Sequence, residues 1–307
     1  MEDQLIQCRL CNAMCIRDLG TIPDSDYFAG RVLPSPIDGG NLWSCDSCES
    51  MFRHPILPNS RYLRLYADGA EGEFGAIGGR QDFVIIRRMI EEKPRPCRVL
   101  DVGCGAGDFL MTLPGDLAKH GVEPSAAASA LARKHGVSIL APTLDELPAN
   151  ARFDVITIID VIEHVADPGA LLDMTLPHLA PGGSLIIATG DAGNALWRRI
   201  FRARFWYLSF PEHITFPSLK YFQTWSHDRG LHQPTAERLK YRRIPIWRTM
   251  LSFASQVVFL ANPLLLNRAG RFADWLRRAP NPRRRLFSPG GPGVFTDHQI
   301  VTIRKLP

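Results

Sequence analysis

Glycines and acids cluster in one short run of this chain, VLDVGCGAGDFL at residues 99–110. Gly103, Gly105 and Gly107 follow an apolar stretch that contains Asp101. Glycine lets the backbone approach a ligand closely and adopt dihedrals that other residues avoid. The N-terminus of a helix that follows favours negative charge. The run therefore predicts a turn that holds a phosphate or a nucleoside.

The spacing of these glycines excludes one common type of nucleotide site. A dinucleotide fingerprint, G-x-G-x-x-G, would need a third glycine where Asp108 or Leu110 stands. The chain instead reads D-x-G-x-G-x-G from Asp101 onward. Glu123 ends the next predicted strand, where a carboxylate can accept both hydroxyls of a ribose.

Cysteines form a second group near the start of the chain. Two C-x-x-C pairs are formed by Cys8 with Cys11 and by Cys45 with Cys48. Two such pairs complete a closed tetrahedral site, so the spacing predicts structural zinc bound by four thiolates. A redox dithiol and a ribbon that folds without metal are the alternatives. Cys15 is a competing ligand, while Cys97 and Cys104 are expected to be buried thiols.

The elements that position these residues alternate from residue 81 onward. The patterns predict helices at 81–92, 108–113, 124–136 and 170–180, and strands at 97–103, 120–124, 137–141, 153–160 and 184–190. This order predicts a parallel sheet flanked by helices, with ligands beyond the carboxyl ends of its strands. The alternating run at 296–307 predicts one further strand, at an edge of the sheet or inserted into it.

The glycine motif resembles motif I of the class I S-adenosylmethionine-dependent methyltransferases. The segments D-V-x-E-H-V-x-D-P at 160–168 and PGGSLIIATG at 181–190 carry the same resemblance. YLSFPEHITFPSL at 207–219 is similar to the segment after strand five in ubiquinone-biosynthesis and sugar methyltransferases. The resemblance covers residues 81–230, and the cysteine-bearing stretch resembles the zinc-binding module that precedes some sugar methyltransferases.

The resemblance implies an α/β fold, a Rossmann-like doubly wound seven-stranded sheet with its last strand antiparallel. It also implies a cofactor site for S-adenosylmethionine, formed by Asp101, Gly103, Gly105, Gly107, Glu123, Thr143, Leu144 and Asp160. The glycines would lie under the methionine and ribose parts, Glu123 would hold the ribose, and Thr143 and Leu144 would flank the adenine. Asp160 would lie near the methionine end. Alternatively, the two aspartates only cap turns.

Methyl transfer often requires removal of one proton from the acceptor. A base is therefore expected near the ends of strands four and five, where His164, Tyr207, Glu212 and His213 lie. His213 is the favoured catalytic residue and His164 the second candidate. Either histidine could instead hold loops together.

The chain divides by composition into four parts. We predict a zinc module at 1–60, a glycine-rich linker at 61–80, a cofactor-binding core at 81–230, and C-terminal strands at 231–307 with a helical basic and apolar insertion. The last part contains 14 Lys and Arg against three acids, although the whole chain is only +5. The charge-free run Thr249 to Asn267 suggests a lid or dimer face, an interfacial helix or a bilayer span.

These observations predict a methyltransferase with a structural zinc module and a small-molecule, phosphate-bearing acceptor, preferably a sugar or glycan precursor. The first alternative is a quinone or lipid-linked acceptor at a membrane surface contacted through 249–285. An alternative from another class is a zinc-ribbon binding module with an inactive methyltransferase-like domain. Nucleic acid is not the expected acceptor, because no N-P-P-[YFW] signature is present. The N-terminus lacks an apolar export segment, so a cytoplasmic location is expected, free or peripheral to the inner face of a membrane.

Overall fold

The computed structural model describes residues 6–29, 31–67, 80–193, 202–205, 207–208, 211–241, 245–262 and 296–307. Its strands are, in chain order, β1 (Ile16–Thr21), β2 (Ser25–Phe28), β3 (Arg31–Ile37), β4 (Asn41–Cys45), β5 (Met51–His54), β6 (Arg98–Val102), β7 (Ala118–Val122), β8 (Ser138–Ala141), β9 (Phe153–Ile159), β10 (Leu179–Gly190), β11 (Thr215–Phe216), β12 (Thr235–Leu239) and β13 (His298–Arg304). Its described α-helices are α1 (Asn59–Ala67), α2 (Gln81–Glu91), α3 (Asp108–Thr112), α4 (Ala126–Lys134), α5 (Pro168–Thr175), α6 (Leu219–His227) and α7 (Ile246–Ala261).

Seven strands form the central sheet, in the order β12–β13–β10–β9–β6–β7–β8. Strands β6 to β10 are parallel to their neighbours among themselves, whereas β13 is antiparallel to both β10 and β12. The predicted Rossmann-like sheet with an antiparallel last strand is confirmed. Strand β13 is inserted between two others, which agrees with the burial of six of its seven residues.

The two faces of the sheet carry separate apolar cores because neighbouring strand residues point to opposite sides. Leu100 and Ile156 belong to the first core, and Val99 and Val155 to the second. The first core also contains Phe52, Cys45 and other residues of the N-terminal part. The N-terminal module is therefore packed directly against one face of the central sheet.

A second sheet joins the N-terminal part to the core. Its order is β1–β4–β5–β11, and β11 comes from residues 215–216 of the core. The prediction of a module confined to 1–60 missed this strand, because two residues carry no periodic pattern. The predicted linker at 61–80 begins inside α1, where Tyr62 is buried, and residues 68–79 lie outside the described residues. The domain boundaries themselves stay predictions.

Local chemistry explains where the helices begin and end. The Ser125 side chain accepts the Ala128 N–H at the start of α4, and the Asp167 side chain accepts the Ala170 N–H at the start of α5. The helix predicted at 170–180 instead ends at Thr175, and a 3-10 turn that contains Pro177 follows. Proline cannot donate the backbone hydrogen bond that a continuing helix needs.

The charge-free C-terminal run begins within α7, a helix of 16 residues. The rest of that run after Asn262 and the arginines of 268–285 lie outside the described residues. Within the described part of the chain, no helix has both the length and the apolar character needed to cross a bilayer.

Candidate active site

The predicted glycine turn lies at the carboxyl end of β6, in the middle of the central sheet. Gly103, Gly105 and Gly107 have φ values of +72°, +54° and +83°, a region that side chains other than glycine rarely adopt. A Cβ on Gly103 would lie 2.6 Å from Val161, and a Cβ on Gly107 would lie 2.9 Å from Val137. A Cβ on Gly105 would meet nothing within 4 Å. The outer two glycines thus permit close packing, and Gly105 borders open space that a ligand can enter.

Glu123 follows β7 and is held in place by the backbone of that turn. Its Oε2 accepts the Gly105 N–H at 2.9 Å, and its Oε1 accepts the Ser125 N–H at 2.8 Å. Burial raises the pKa of Glu123, and these two N–H groups act in the opposite direction by stabilising the carboxylate. Each carboxylate oxygen keeps a second lone pair, so the group fits the binding of ribose hydroxyls.

Asp101 lies inside β6 and is 3% exposed. It accepts the hydroxyl of Thr157 on β9 at 2.6 Å. Burial raises its pKa to about 7, although the Thr157 hydrogen bond and the Arg80 charge favour the carboxylate. Asp101 therefore supports the site from below instead of lining an open surface.

Asp160 follows β9 with a φ of +51° and forms an ion pair with Arg80 at 2.7 Å. The Arg80 guanidinium also pairs with Asp82 and lies over the rings of Phe83 and Tyr241. The Oδ1 atom of Asp160 is buried and has no hydrogen-bond partner among the described residues. An unsatisfied buried carboxylate oxygen fits a site that binds a cationic group.

Thr143 and Leu144 lie just beyond β8, as expected. The Thr143 hydroxyl donates to Glu146 at 2.9 Å, and Leu144 is buried in the first core next to Val122. The structure thus places Leu144 behind the strand ends and leaves Thr143 half-buried.

A second polar cluster lies at the ends of β9 and β10. The Tyr207 hydroxyl donates to Glu163 Oε1 at 2.5 Å, and the Thr189 hydroxyl donates to Glu163 Oε2 at 3.0 Å. The Gly190 N–H donates to the Tyr207 oxygen at 2.9 Å. Burial raises the pKa of Glu163, and it raises the pKa of Tyr207 well above the ordinary value of a tyrosine. Both groups therefore shift toward their uncharged forms.

His164 and His213 meet in this cluster, with ring centroids 4.9 Å apart. His213 Nδ1 lies 2.7 Å from the Tyr207 carbonyl oxygen, and His164 Nδ1 lies 3.1 Å from the Glu212 carbonyl oxygen. A carbonyl only accepts, so each Nδ1 carries the proton when these bonds form. Burial lowers the pKa of His213 well below its ordinary value, which keeps its ring neutral at pH 7.

Among the described residues, this cluster is one of two groups whose side chains lie close enough to hold a metal ion, the other being four cysteines of the N-terminal module. One donor atom each of Glu163, His164 and His213 lies within 4.8 Å of the other two. Both oxygens of Glu163 already accept protein hydrogen bonds. In this structure each of the three residues therefore hydrogen-bonds to neighbouring protein groups.

The four predicted metal ligands converge in the N-terminal module. The Sγ atoms of Cys8 and Cys48 are 3.7 Å apart, and those of Cys11 and Cys45 are 3.6 Å apart. All four thiols lie within 4.8 Å of one another. A tetrahedral ion with bonds of about 2.3 Å needs sulfur separations of about 3.8 Å, so the geometry fits zinc. Cys15 is exposed and outside this group, whereas Cys97 and Cys104 are buried as predicted.

Several residues of the site escaped the sequence-based prediction. Arg80 falls within the predicted linker, as does Tyr66, whose hydroxyl lies 2.9 Å from His164 Nδ1. Tyr241 lies in a segment without a motif, as does Arg53, which donates to the carbonyls of Pro211 and Leu208. The one available signal was the position of Arg80 directly before an amphipathic helix. Their roles depend on contacts between distant segments, which a local pattern does not encode.

Comparisons with known proteins agree with this geometry. A family model described as a methyltransferase domain matches residues 82–233. Residues 82–233, about half of the chain, therefore form a methyltransferase domain of the class I S-adenosylmethionine-dependent type. The match covers the glycine turn, the polar cluster and α6, but leaves the cysteine-bearing module outside.

Relatives and solved structures extend the comparison. A ubiquinone biosynthesis O-methyltransferase of Bradyrhizobium sp. (strain ORS 278) is 35% identical over 101 residues, 30% of this chain and 39% of the relative. That of Rickettsia canadensis is 36% identical over 102 residues, 30% of this chain and 42% of the relative. The chain thus spans about two fifths of the curated relatives that it matches.

Among solved structures, a possible histamine N-methyltransferase of Thermotoga maritima has 18% identity and a TM-score of 0.44, covering 73% of this chain and 89% of its own. Phosphoethanolamine N-methyltransferase 2 of Haemonchus contortus, solved with S-adenosyl-L-methionine, has 17% identity and a TM-score of 0.47, covering 84% and 62%.

Proposed function

We propose that this protein transfers a methyl group from S-adenosylmethionine to a phenolic hydroxyl group of a quinone precursor at a membrane surface. The observation that carries the transferase activity is the glycine turn with open space at Gly105 and the carboxylates of Glu123 and Asp160 at neighbouring strand ends. When bound, S-adenosylmethionine supplies an electrophilic methyl group on a sulfonium.

The residues of the glycine turn would bind and orient the cofactor. Glu123 would accept the ribose hydroxyls with the lone pairs that Gly105 and Ser125 leave available. Asp160 would accept the ammonium group of the methionine part with its unsatisfied Oδ1. Thr143 would contact the adenine edge. Preformed partners of this kind reduce the reorganisation that catalysis requires.

The polar cluster would handle the acceptor proton. His213 is fixed through Nδ1 by the Tyr207 carbonyl, so its Nε2 is the basic nitrogen. We assign the general base to His213, with the proton passing from the acceptor hydroxyl to Nε2. His164 lies beside it and is the second candidate.

The acceptor class is better supported for a quinone than for the sugar precursor that sequence analysis preferred. The curated relatives reported above are named as O-methyltransferases of ubiquinone biosynthesis. Apolar residues of α7 also point outward: Ile246, Trp247, Met250 and Leu251 are 79%, 56%, 68% and 63% exposed. Such exposure favours contact with an apolar phase.

Charge supports a lipid surface as that phase. Helix α7 contains no acid and one arginine, Arg248. The segment 231–307 holds 14 basic residues against three acids. Basic residues near an apolar helix favour anionic lipid, by about 1 kcal/mol each at the surface. We therefore propose a peripheral location, with α7 lying in the membrane interface.

The four thiols would bind one structural zinc ion. A four-thiolate site has no open position, so we assign it no chemistry on the acceptor. Its proposed role is to hold β4 and the Cys8 loop together beside the central sheet.

The test is a methyl-transfer assay with methyl-labelled cofactor. The two acceptors are a decyl-substituted catechol in phosphatidylglycerol vesicles and a nucleotide-diphosphate sugar in buffer. We expect label in the catechol only. Label in the sugar only would restore the original preference, and failure to bind S-adenosylhomocysteine would favour the inactive binding module.

A pair of variants separates membrane contact from catalysis. Leu251→Glu on α7 should reduce vesicle binding and catechol methylation in vesicles at least tenfold, with unchanged activity on catechol in detergent. Met174→Glu, at another exposed apolar position, on α5 (42% exposed), is the matched control and should change neither. Equal effects of the two substitutions would contradict the assignment of α7.

A further inference from the structure

The segment that carries His213 lies between the N-terminal module and the methyltransferase core. Thr215 pairs with Phe52 across β11 and β5. The Arg53 N–H donates to the Ile214 carbonyl at 2.9 Å, and the Ile214 N–H donates to the Glu163 carbonyl at 2.8 Å. One backbone residue thus connects the module on one side to the polar cluster on the other.

The side chain of Arg53 reaches further into the same segment. It is 2% exposed, and its Nη1 and Nη2 atoms donate to the carbonyls of Pro211 and Leu208 at 3.4 Å and 3.5 Å. A buried guanidinium costs desolvation energy that only good partners offset. Burial lowers the pKa of Arg53 to about 10, against the favourable charges of Tyr62 and Glu212. Because burying this guanidinium costs free energy, we looked for a function of Arg53 in the segment that it contacts.

Other contacts of the module, and one of helix α1, converge on the same segment. The Ala29 N–H donates to Glu212 Oε1 at 2.7 Å, and the Tyr66 hydroxyl lies 2.9 Å from His164 Nδ1. The Ser218 hydroxyl donates to the Cys48 carbonyl at 2.5 Å. The module and α1 therefore contact residues beside His213 and His164 itself. The glycine turn lies elsewhere, at the end of β6.

We propose that Arg53 is a positioning residue of the acceptor site, which fixes the carbonyls of Leu208 and Pro211 and thereby sets the place of His213. The proposal rests on the proposed function, because it takes His213 as the residue that meets the acceptor. The planar fork of arginine spans two carbonyls in one geometry, which a lysine ammonium does not reproduce.

Arg53 is therefore expected to affect turnover and not cofactor binding. Arg53 acts on turnover indirectly. It donates to the carbonyl of Leu208, and the carbonyl of the preceding residue, Tyr207, orients His213. The hydrogen bonds described for Arg53 go to Leu208, Pro211 and Ile214, whereas the cofactor would be held by Gly105 and Glu123, so cofactor affinity is expected to be independent of Arg53.

The experiment compares Arg53→Met and Arg53→Lys with Arg31→Met, an exposed arginine of the same module. Hydrogen exchange of the amides of 212–216 is measured by mass spectrometry, with S-adenosylhomocysteine affinity by calorimetry. In Arg53→Met we expect exchange in 212–216 to become at least tenfold faster, with affinity changed less than twofold. Arg53→Lys should be intermediate, and Arg31→Met unchanged.

Kinetics separate positioning from general destabilisation. Arg53→Met should lower kcat on the decyl catechol at least 30-fold with an unchanged KM for the cofactor, and Arg53→Lys should recover part of it. In a His213→Ala background, Arg53→Met should lower kcat less than threefold, since the residue it positions is gone. Full additivity would overturn the proposal.

Hydrogen exchange also tests the positioning role of Arg53 when no acceptor is present. Unchanged exchange at 212–216, or equal acceleration at β6 and β7, would refute the positioning role. If Arg53→Met does not fold, Arg53→Lys is judged alone by the same criteria. Local acceleration with intact cofactor binding, in a protein that methylates neither acceptor, would support the positioning role while the proposed function fails.

Discussion

The cofactor half and the acceptor half of this site are built in different ways. The cofactor half uses backbone N–H groups and glycines, and its key hydrogen bond joins residues 18 positions apart, Gly105 and Glu123. The acceptor half uses buried side chains, and its contacts join Tyr66 to His164 over 98 positions and Ala29 to Glu212 over 183. A local motif can specify the first half, whereas only packing of distant segments creates the second.

The halves also differ in electrostatics. In the acceptor half, burial raises the pKa of Glu163 and Glu212 and lowers that of His213. These groups shift toward their uncharged forms, which suits a site for an apolar acceptor. In the cofactor half, burial also raises the pKa of Glu123, but there two backbone N–H groups act in the opposite direction, and Asp160 forms an ion pair with Arg80.

Removing zinc should have the largest effect, and should affect the acceptor half first. Structural zinc contributes about 10–16 kcal/mol of apparent binding energy in small modules. During stepwise chelation we expect turnover to be lost before S-adenosylhomocysteine binding, because the hydrogen bonds described for the module reach the segment with His213. Metal content and binding are measured on the same samples.

The matched variants for this prediction are Cys45→Ser and Cys15→Ser. The first should abolish the one zinc per chain and lower Tm, and the second should change neither, since Cys15 is exposed and outside the cluster. A metal-free protein with unchanged Tm would rule out the zinc site.

Replacing His213 should affect the acceptor half alone. His213→Ala is expected to lower kcat by about 10²–10⁴-fold, the usual contribution of a general base. Affinity for S-adenosylhomocysteine should stay within twofold. Steady-state kinetics and calorimetry check both, with the exposed His227→Ala as control. Full turnover in folded His213→Ala would transfer the role to His164.

Replacing Glu123 should affect the cofactor half alone. Glu123→Ala removes a charged hydrogen-bond acceptor worth about 2 kcal/mol, so the Kd for S-adenosylhomocysteine should rise about 30-fold. Glu92→Ala, an exposed acid at the end of α2, is the control. Unchanged affinity in folded Glu123→Ala would disprove the ribose assignment.

The last effect concerns stability and not activity, and it isolates Asp101. Its folded pKa of about 7 lies above its ordinary value of 3.8. Its contribution to stability is therefore fully present below about pH 4 and is lost as pH rises to about 7. Asp101→Asn keeps an acceptor for Thr157 without this loss, so it should be about 2–4 kcal/mol more stable than the parent at pH 8.

Denaturant unfolding at pH 4.5, 6 and 8 measures this difference. The gain from Asp101→Asn should grow with pH, and the exposed Asp145→Asn should show no such trend. A gain that does not vary with pH would mean that Asp101 titrates at its ordinary value.

The sheet and the cofactor half follow from patterns within the sequence. Strands β6 and β9 are largely apolar runs ended by turns, and the positive φ of Gly103 and Gly107 is what their residue type permits. The strand predicted at 120–124 is observed at Ala118–Val122, a shift that leaves Glu123 just beyond its end. Boundaries moved because hydrogen bonds with neighbouring strands, not composition, decide where pairing stops.

By itself, the sequence determined the parallel sheet, the glycine turn with Glu123 and the four converging thiols, because each depends on residues close together or on a fixed ligand chemistry. The tertiary structure alone decided that Arg80 would pair with Asp160, that β11 would join the N-terminal sheet, and that Arg53 would be buried beside the segment with His213. These contacts form between distant segments once the cores on the two faces of the sheet have packed. Their energy comes from burial and hydrogen bonds that exist only in the folded chain.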